Sequence, residues 1–73
     1  MMARFLKEGM HPLIGSKKME NGIVVFWKEG NDRKWDSLQY NELIDMQINA
    51  LDLLENPKTY ALDPATRKVV MLK

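Results

Sequence analysis

The chain has no cysteine and only one histidine among its 73 residues. Without cysteine it can form no disulfide framework, and it lacks the thiolate ligands of a zinc finger. A reducing, intracellular setting fits this composition. The sequence also lacks an apolar run long enough to span a bilayer, and Arg4 and Lys7 are not followed by the hydrophobic segment of a secretory signal. These absences predict a soluble, cytoplasmic protein.

Residue types that support catalysis are also scarce. His11 lies in a segment without a predicted rigid element, and neither Ser16 nor Ser37 has a candidate base near it in sequence. Gly30 falls in a predicted hairpin instead of between a strand and a helix, so it does not mark a phosphate-binding loop. Four polar residues share one face of a predicted helix: Glu42, Asp45, Asn49 and Asp52. That spacing supplies too few converging oxygens for a specific cation site. The sequence predicts a non-enzyme without cofactor or metal.

The formal net charge of +1 hides a segregation of charge along the chain. The balance is +3 over residues 1–35, −5 over residues 36–56 and +3 over residues 57–73. The middle segment carries five acids and no base. We therefore expect one negative surface on an otherwise positive molecule.

A chain of this length forms one domain, with a stability on the order of 3–5 kcal/mol. We predict a flexible arm at residues 1–21 and one small domain at residues 22–73. The arm is interrupted by glycines and by His11-Pro12, yet it mixes apolar and basic side chains, a composition typical of a segment that becomes ordered on binding. The alternative is that part of it folds back over the sheet. The arm residues expected to contact a partner are Arg4, Phe5, Lys7, Lys17 and Lys18.

Residues 36–56 carry the longest helical pattern. At about 100° per residue, one broad face collects the apolar side chains. Asp36 or Ser37 is the predicted N-cap, with Gln39 completing a capping-box spacing, and the residue before Pro57 ends the helix. Gln47 interrupts the apolar face, and either bonds to a backbone group or contacts a partner. The apolar face contains Tyr40, Leu43, Ile44, Met46, Ala50, Leu51, Leu53 and Leu54.

A β-hairpin is predicted before this helix. Residues 22–28 are rich in β-branched and aromatic side chains, and Gly30-Asn31 matches a two-residue type II′ turn. In that register Lys28 opposes Arg33, Trp27 opposes Lys34 and Phe26 opposes Trp35. Val24, Phe26 and Trp35 then share one face, while Ile23, Val25 and Trp27 share the other. Because both faces are apolar and one helix covers only one, the second face needs the arm, a second copy or a partner.

A second hairpin is predicted after the helix. Residues 58–62 form one strand, residues 63–66 a turn with Pro64 at its second position, and residues 67–72 the returning strand. The fold class is α+β, in the order ββαββ, with one amphipathic helix packed on a small antiparallel sheet of three or four strands.

Indoles and cations occur together in the first hairpin, and they form the predicted partner-binding site. Tryptophan and arginine are frequent anchors of protein interfaces, which favours docking on a large protein assembly. The same residues suit stacking on single-stranded nucleic acid, which is the alternative function. A homodimer that buries the second hairpin face is the structural alternative. The predicted site contains Trp27, Lys28, Arg33, Lys34 and Trp35.

The plan of the chain resembles that of small lytic-phage proteins that bind host RNA polymerase. The resemblance rests on the tail MARFLKEGMHPLIGSKK attached to a domain that begins at GIVVFWK. It implies a stoichiometric regulator of transcription in the host cytoplasm, acting as an inhibitor of initiation or as an antitermination factor. It also implies that the domain docks on a polymerase subunit, while the arm acts near the nucleic acid.

Overall fold

The backbone forms one five-stranded antiparallel sheet with two short helices against it. The computed structural model describes residues 9–72. The spatial order of the strands is β3-β2-β1-β4-β5, and a 3-10 helix, Pro57–Thr59, precedes β4. The elements are β1 His11–Lys18, β2 Gly22–Glu29, β3 Asp32–Gln39, α1 Tyr40–Asp45, α2 Ala50–Glu55, β4 Tyr60–Asp63 and β5 Lys68–Met71.

This architecture confirms the α+β class and corrects the predicted ββαββ order. The sheet has an additional N-terminal strand, and the predicted single helix is divided in two. Within the described residues no helix is long and apolar enough to cross a membrane.

The additional strand, β1, corrects the prediction that the flexible arm extends through residue 21. β1 lies between β2 and β4 and buries Leu13 in the core. Pro12 stands near the start of the strand, and the register shifts between Leu13 and Gly15 in a bulge. Proline and glycine are tolerated at these two kinds of position, although in sequence they indicate interruption. Residues 1–8, with the predicted contacts Arg4, Phe5 and Lys7, lie outside the described residues.

The first hairpin has the predicted register along its whole length. Phe26 opposes Trp35, and Glu29 opposes Asp32 across the two-residue loop. Gly30 has a φ of 65°, while Gln47 and Arg67 are the non-glycine residues with positive φ within residues 9–72. Positive φ at the first loop residue alone is the signature of a type II′ turn.

The predicted helix at residues 36–56 is wrong at its start. β3 stays paired with β2 through Gln39, so the predicted caps Asp36 and Ser37 belong to a strand. Gln39 is the N-cap of α1, and its backbone N–H donates to Glu42 Oε1 over 2.9 Å in a capping box. Continuous strand pairing therefore overrides the earlier cap signal.

The helical pattern also breaks in the middle, at a Schellman turn. Gln47 adopts a left-handed φ of 60°, its N–H donates to the carbonyl of Ile44, and the N–H of Ile48 donates to the carbonyl of Leu43. The exposed Gln47 is therefore the C′ residue of α1, whereas Ile48 packs against the core. α2 then begins with its own cap, because Asn49 Oδ1 accepts from the N–H of Asp52.

The core lies between the sheet and the two helices. Ser16 on β1 joins these layers, since its hydroxyl donates to the carbonyls of Leu53 and Leu54 over 3.2 and 2.9 Å. The second hairpin is shorter than predicted, and its turn ends at Arg67 with a φ of 61°. The core side chains are Leu13, Ile23, Val25, Trp27, Leu38, Leu43, Leu53, Tyr60, Leu62 and Val69.

Candidate functional site: the outer face of the sheet

The two helices cover one side of β1, β2 and β3 and leave the other side open. Ile23, Val25 and Trp27 are buried in the core, whereas Trp35 on the opposite side is exposed. Two residues that lie directly opposite each other in an antiparallel pair point to the same face of the sheet. The register therefore shows on which face each of the other strand residues lies. We call the open side the outer face; its residues include Ile14, Gly15, Lys17, Val24, Phe26, Lys28, Arg33, Trp35 and Ser37.

An aromatic pair occupies the centre of the outer face. In a hairpin with a two-residue loop, the pair that flanks the loop, here Glu29–Asp32, is hydrogen bonded. Hydrogen-bonded and non-hydrogen-bonded pairs alternate along the strands, so Phe26–Trp35 is a non-hydrogen-bonded pair, in which the side chains lie closer together. Phe26 is half-buried, while 64% of Trp35 is exposed. Trp35 therefore presents most of its indole to solvent, with one ring beside it in the neighbouring strand.

A shallow cavity adjoins this pair at the bulge of β1. It has a volume of about 190 Å³ and is lined by Ile14, Gly15, Phe26 and Arg33. The absent side chain of Gly15 keeps the floor open, because a Cβ there would lie 3.8 Å from Phe26 Cδ2. The apolar floor and the adjacent guanidinium suit a flat, partly polar group.

The charges of the outer face have one sign within β1, β2 and β3. Lys17, Lys28 and Arg33 are exposed on it. The strand carboxylates belong to the opposite side: Glu29 Oε2 accepts from Trp27 Nε1 over 2.9 Å, and Asp36 pairs with Arg67. Asp32 opposes Glu29 and shares its side. Acids that are close in sequence are thus separated from these cations by the sheet.

The predicted partner-binding residues fall on two different sides. Lys28, Arg33 and Trp35 lie together on the outer face, as their register required. Trp27 is 4% exposed and belongs to the core, so its inclusion in a binding site was wrong, and Lys34 opposes it on the helical side. Burial in the core excludes the Trp27 indole from contact with a partner.

The prediction missed part of the outer face because it missed β1. Ile14 and Gly15 join the site through the bulge, and Lys17 moves from the predicted arm into the sheet. Lys18, the next arm residue, opposes Ile23 and lies on the helical side. A simple alternation did not mark this strand, because the bulge between Leu13 and Gly15 places Leu13 on the core side and Gly15 and Lys17 on the outer face.

A second exposed surface lies on the helices. Ile44 is 72% exposed and Leu51 is 62% exposed. Tyr40 lies one helical turn before Ile44 and lines a cavity of about 190 Å³ together with Leu51, Leu54 and the basic side chain of Lys18. We call these four residues, Tyr40, Ile44, Leu51 and Leu54, the helical patch.

Asp52 and Tyr60 form the closest polar contact between α2 and the sheet. The Tyr60 hydroxyl donates to Asp52 Oδ2 over 2.5 Å, and Asn56 Nδ2 donates to Oδ1 over 2.9 Å. The bond from Tyr60, followed by that from Asn56, lowers the pKa of Asp52. Burial, followed by the bond to Asp52, raises the pKa of Tyr60 to about 12. This contact joins structural elements and borders none of the cavities described above.

Comparison with protein-family models, curated proteins and solved structures gives no match to this chain. Among residues 9–72, no group of three or more His, Cys, Asp or Glu side chains is arranged to hold a metal ion. The side chains of the outer face can stack on a ligand, make apolar contacts with it and attract negative charge.

Proposed function

We propose that this chain is a non-enzymatic regulatory protein that binds a large protein machine in the cytoplasm. The resemblance to small phage proteins implies bacterial RNA polymerase as that machine, and modulation of transcription as the result. The observation that carries the proposal is the exposed apolar surface of the helical patch, in which Leu51 lines the cavity and Ile44 lies one helical turn from Tyr40, which also lines it. Large aliphatic side chains grouped around a cavity are typical of surfaces that another protein covers.

The surroundings of the helical patch define the partner surface that would fit it. Lys18 lines the cavity of the patch, whereas Asp45 and Glu55 are exposed at the ends of the two helices and do not line it. A partner surface with an apolar centre and an acidic group opposite Lys18 would complement the cavity, and the charges would increase the association rate. The outer face instead combines exposed aromatic rings with three cations, so the two surfaces favour different partners.

Binding to purified RNA polymerase, free of nucleic acid, tests this proposal. The full chain is immobilised, and polymerase binding is measured for the wild type and for Ile44→Ser/Leu51→Ser. The matched control is Val70→Ser, because Val70 is an exposed aliphatic residue on β5. We expect the double variant to weaken binding by at least about tenfold, which is 1.4 kcal/mol, and the control to retain it.

Two outcomes would count against this assignment. If the wild type does not bind polymerase at tens of micromolar, the machine is not polymerase. If Trp35→Ser abolishes binding and the double variant does not, the outer face is the docking surface. Transcription from a promoter followed by a terminator then separates the two modes of regulation, because an inhibitor of initiation lowers all transcripts, whereas an antitermination factor increases readthrough.

A further inference from the structure

We propose that the outer face binds single-stranded nucleic acid, with bases stacked on Trp35 and Phe26 and phosphates bound by Lys17, Lys28 and Arg33. This second activity uses a different surface from the helical patch and does not depend on a protein partner. Three observations support it, namely the aromatic pair, the distribution of charge and the cavity at the bulge.

The aromatic pair supplies the stacking surface. Trp35 is exposed on a strand, directly opposite Phe26, so both rings belong to one face of a rigid hairpin. Base stacking on aromatic side chains tolerates any sequence, because every base has a π-face. A base in a duplex is already stacked on both sides, so the pair selects single strands.

The cations lie where a phosphate chain would pass the aromatic pair. Two residues from the aromatic pair towards the hairpin loop, Lys28 lies opposite Arg33. Two residues from Phe26 in the other direction, Val24 lies opposite Lys17. No Asp or Glu of β1, β2 or β3 shares this face, since their carboxylates lie on the helical side. A polyanion therefore meets attraction along the length of the hairpin without a carboxylate opposing it.

The cavity gives the surface a position that a base or sugar edge would enter. Arg33 lines it beside Phe26, a position from which the guanidinium would contact a base stacked on the ring or the adjacent phosphate. Because Gly15 has no positive φ and a Cβ there makes only ordinary contact with Phe26, a side chain at this position would begin to occupy the cavity. This position allows the cavity to be tested separately from the rings.

The test uses the full chain and a fluorescein-labelled oligothymidylate of about 12 nucleotides, measured by fluorescence anisotropy at low salt. We expect Trp35→Ala to weaken binding by about 5- to 150-fold, the range for loss of one stacked base. Gly15→Val should also weaken it. Val70→Ala is the matched control, because Val70 is an exposed aliphatic residue on β5 and belongs to neither the outer face nor the helical patch. Circular dichroism verifies that each variant is folded.

The salt dependence tests the phosphate contacts independently of stacking. Lys28→Gln/Arg33→Gln should reduce the slope of log K against log salt by about 1.4, since each contact with a single strand contributes about 0.7. A duplex of the same length should compete poorly.

Several results would overturn the proposal. One is the absence of binding at hundreds of micromolar protein in low salt. Another is binding that Trp35→Ala and Gly15→Val leave unchanged. Competition by polyglutamate as strong as that by unlabelled oligothymidylate would assign the outer face to an acidic protein instead. None of these measurements contains polymerase, so they are independent of the docking proposal.

Discussion

Arg67 Nε donates to Asp36 Oδ2 over 3.1 Å and thereby ties the turn before β5 to the middle of β3. The same guanidinium bonds to Glu42 Oε2 over 2.7 Å and to the carbonyl of Ser37. The N–H of Ser37 donates to Asp36 Oδ1. Both backbone groups of Ser37 are therefore satisfied on an edge strand, where unpaired groups invite pairing with another chain.

Replacing Arg67 by alanine should lower the free energy of unfolding by about 1–2 kcal/mol. Hydrogen bonds to charged groups typically contribute about 1.5–3 kcal/mol, and we expect less here because solvent screens a partly exposed guanidinium. Burial alone would lower the pKa of Arg67, but bonding to Asp36 and the charges of Asp36 and Glu42 raise it overall. The measurement is urea unfolding, with Lys68→Ala as the control. Equal stability of the two variants would show that these ion pairs contribute nothing.

The contact between Tyr60 and Asp52 predicts how stability depends on pH. The lowered pKa of Asp52 gives a contribution that is complete above its ordinary value near 4 and is lost as the pH falls through the folded-state pKa. The raised pKa of Tyr60 gives one that is complete below pH 10 and is lost as the pH rises towards 12.

Tyr60→Phe removes the titration of Tyr60 and the larger of the two bonds that lower the pKa of Asp52, while the bond from Asn56 remains. We expect the difference in urea midpoint between wild type and Tyr60→Phe to be largest between about pH 5 and pH 9 and to diminish at either extreme. Other groups titrate in both proteins and cancel in this difference. A difference that stays constant from pH 3 to pH 12 would show that the hydrogen bond has no linked titration.

Gln47→Gly should stabilise the chain by about 1 kcal/mol, since a residue with a Cβ is disfavoured at the left-handed φ of the Schellman turn. Gln47→Ala retains a Cβ and serves as the matched control. Thermal unfolding followed by circular dichroism compares the three proteins. If glycine gives no increase over alanine, the turn is not a strained position.

Deleting residues 1–21 should unfold the protein, although the sequence predicted that a folded domain would remain. The deletion removes β1, whose Leu13 is buried in the core and whose Ser16 bonds to the end of α2. The comparison is a chain that lacks only residues 1–8. If both truncated chains show cooperative unfolding, β1 is dispensable and the arm boundary at residue 21 stands.

The local parts of the fold were predictable from sequence, and the distant ones were not. The hairpin register follows from alternation around Gly30-Asn31, and it places Trp35 opposite Phe26. In contrast, β1 is interrupted by Pro12 and Gly15, and its pairing with β4 depends on residues far along the chain. No local pattern encodes that contact.

The division of the helix and the composition of the site show the same limit. Asn49, with Asp52 three residues later, matches the spacing of an N-cap within the apolar pattern. The end of the first helix was not predictable, because the residue with positive φ there is Gln47 and not the usual glycine. The alternation of side chains along the strands places Trp27 and Trp35 on opposite faces of the hairpin. Which of these two faces becomes the core side depends on the path of the chain after Gln39.

The position of β1 between β2 and β4 has a consequence for how the chain acquires its structure during synthesis. The first three strands are consecutive, so they can pair soon after they leave the ribosome. His11 and Pro12 pair with Leu62 and Ala61, which are translated much later. Until then the apolar side of the nascent meander has no cover from β4, and contacts of such long sequence separation form slowly. The sheet is therefore completed only after Leu62 has been translated, and the unfinished meander exposes apolar surface in that interval.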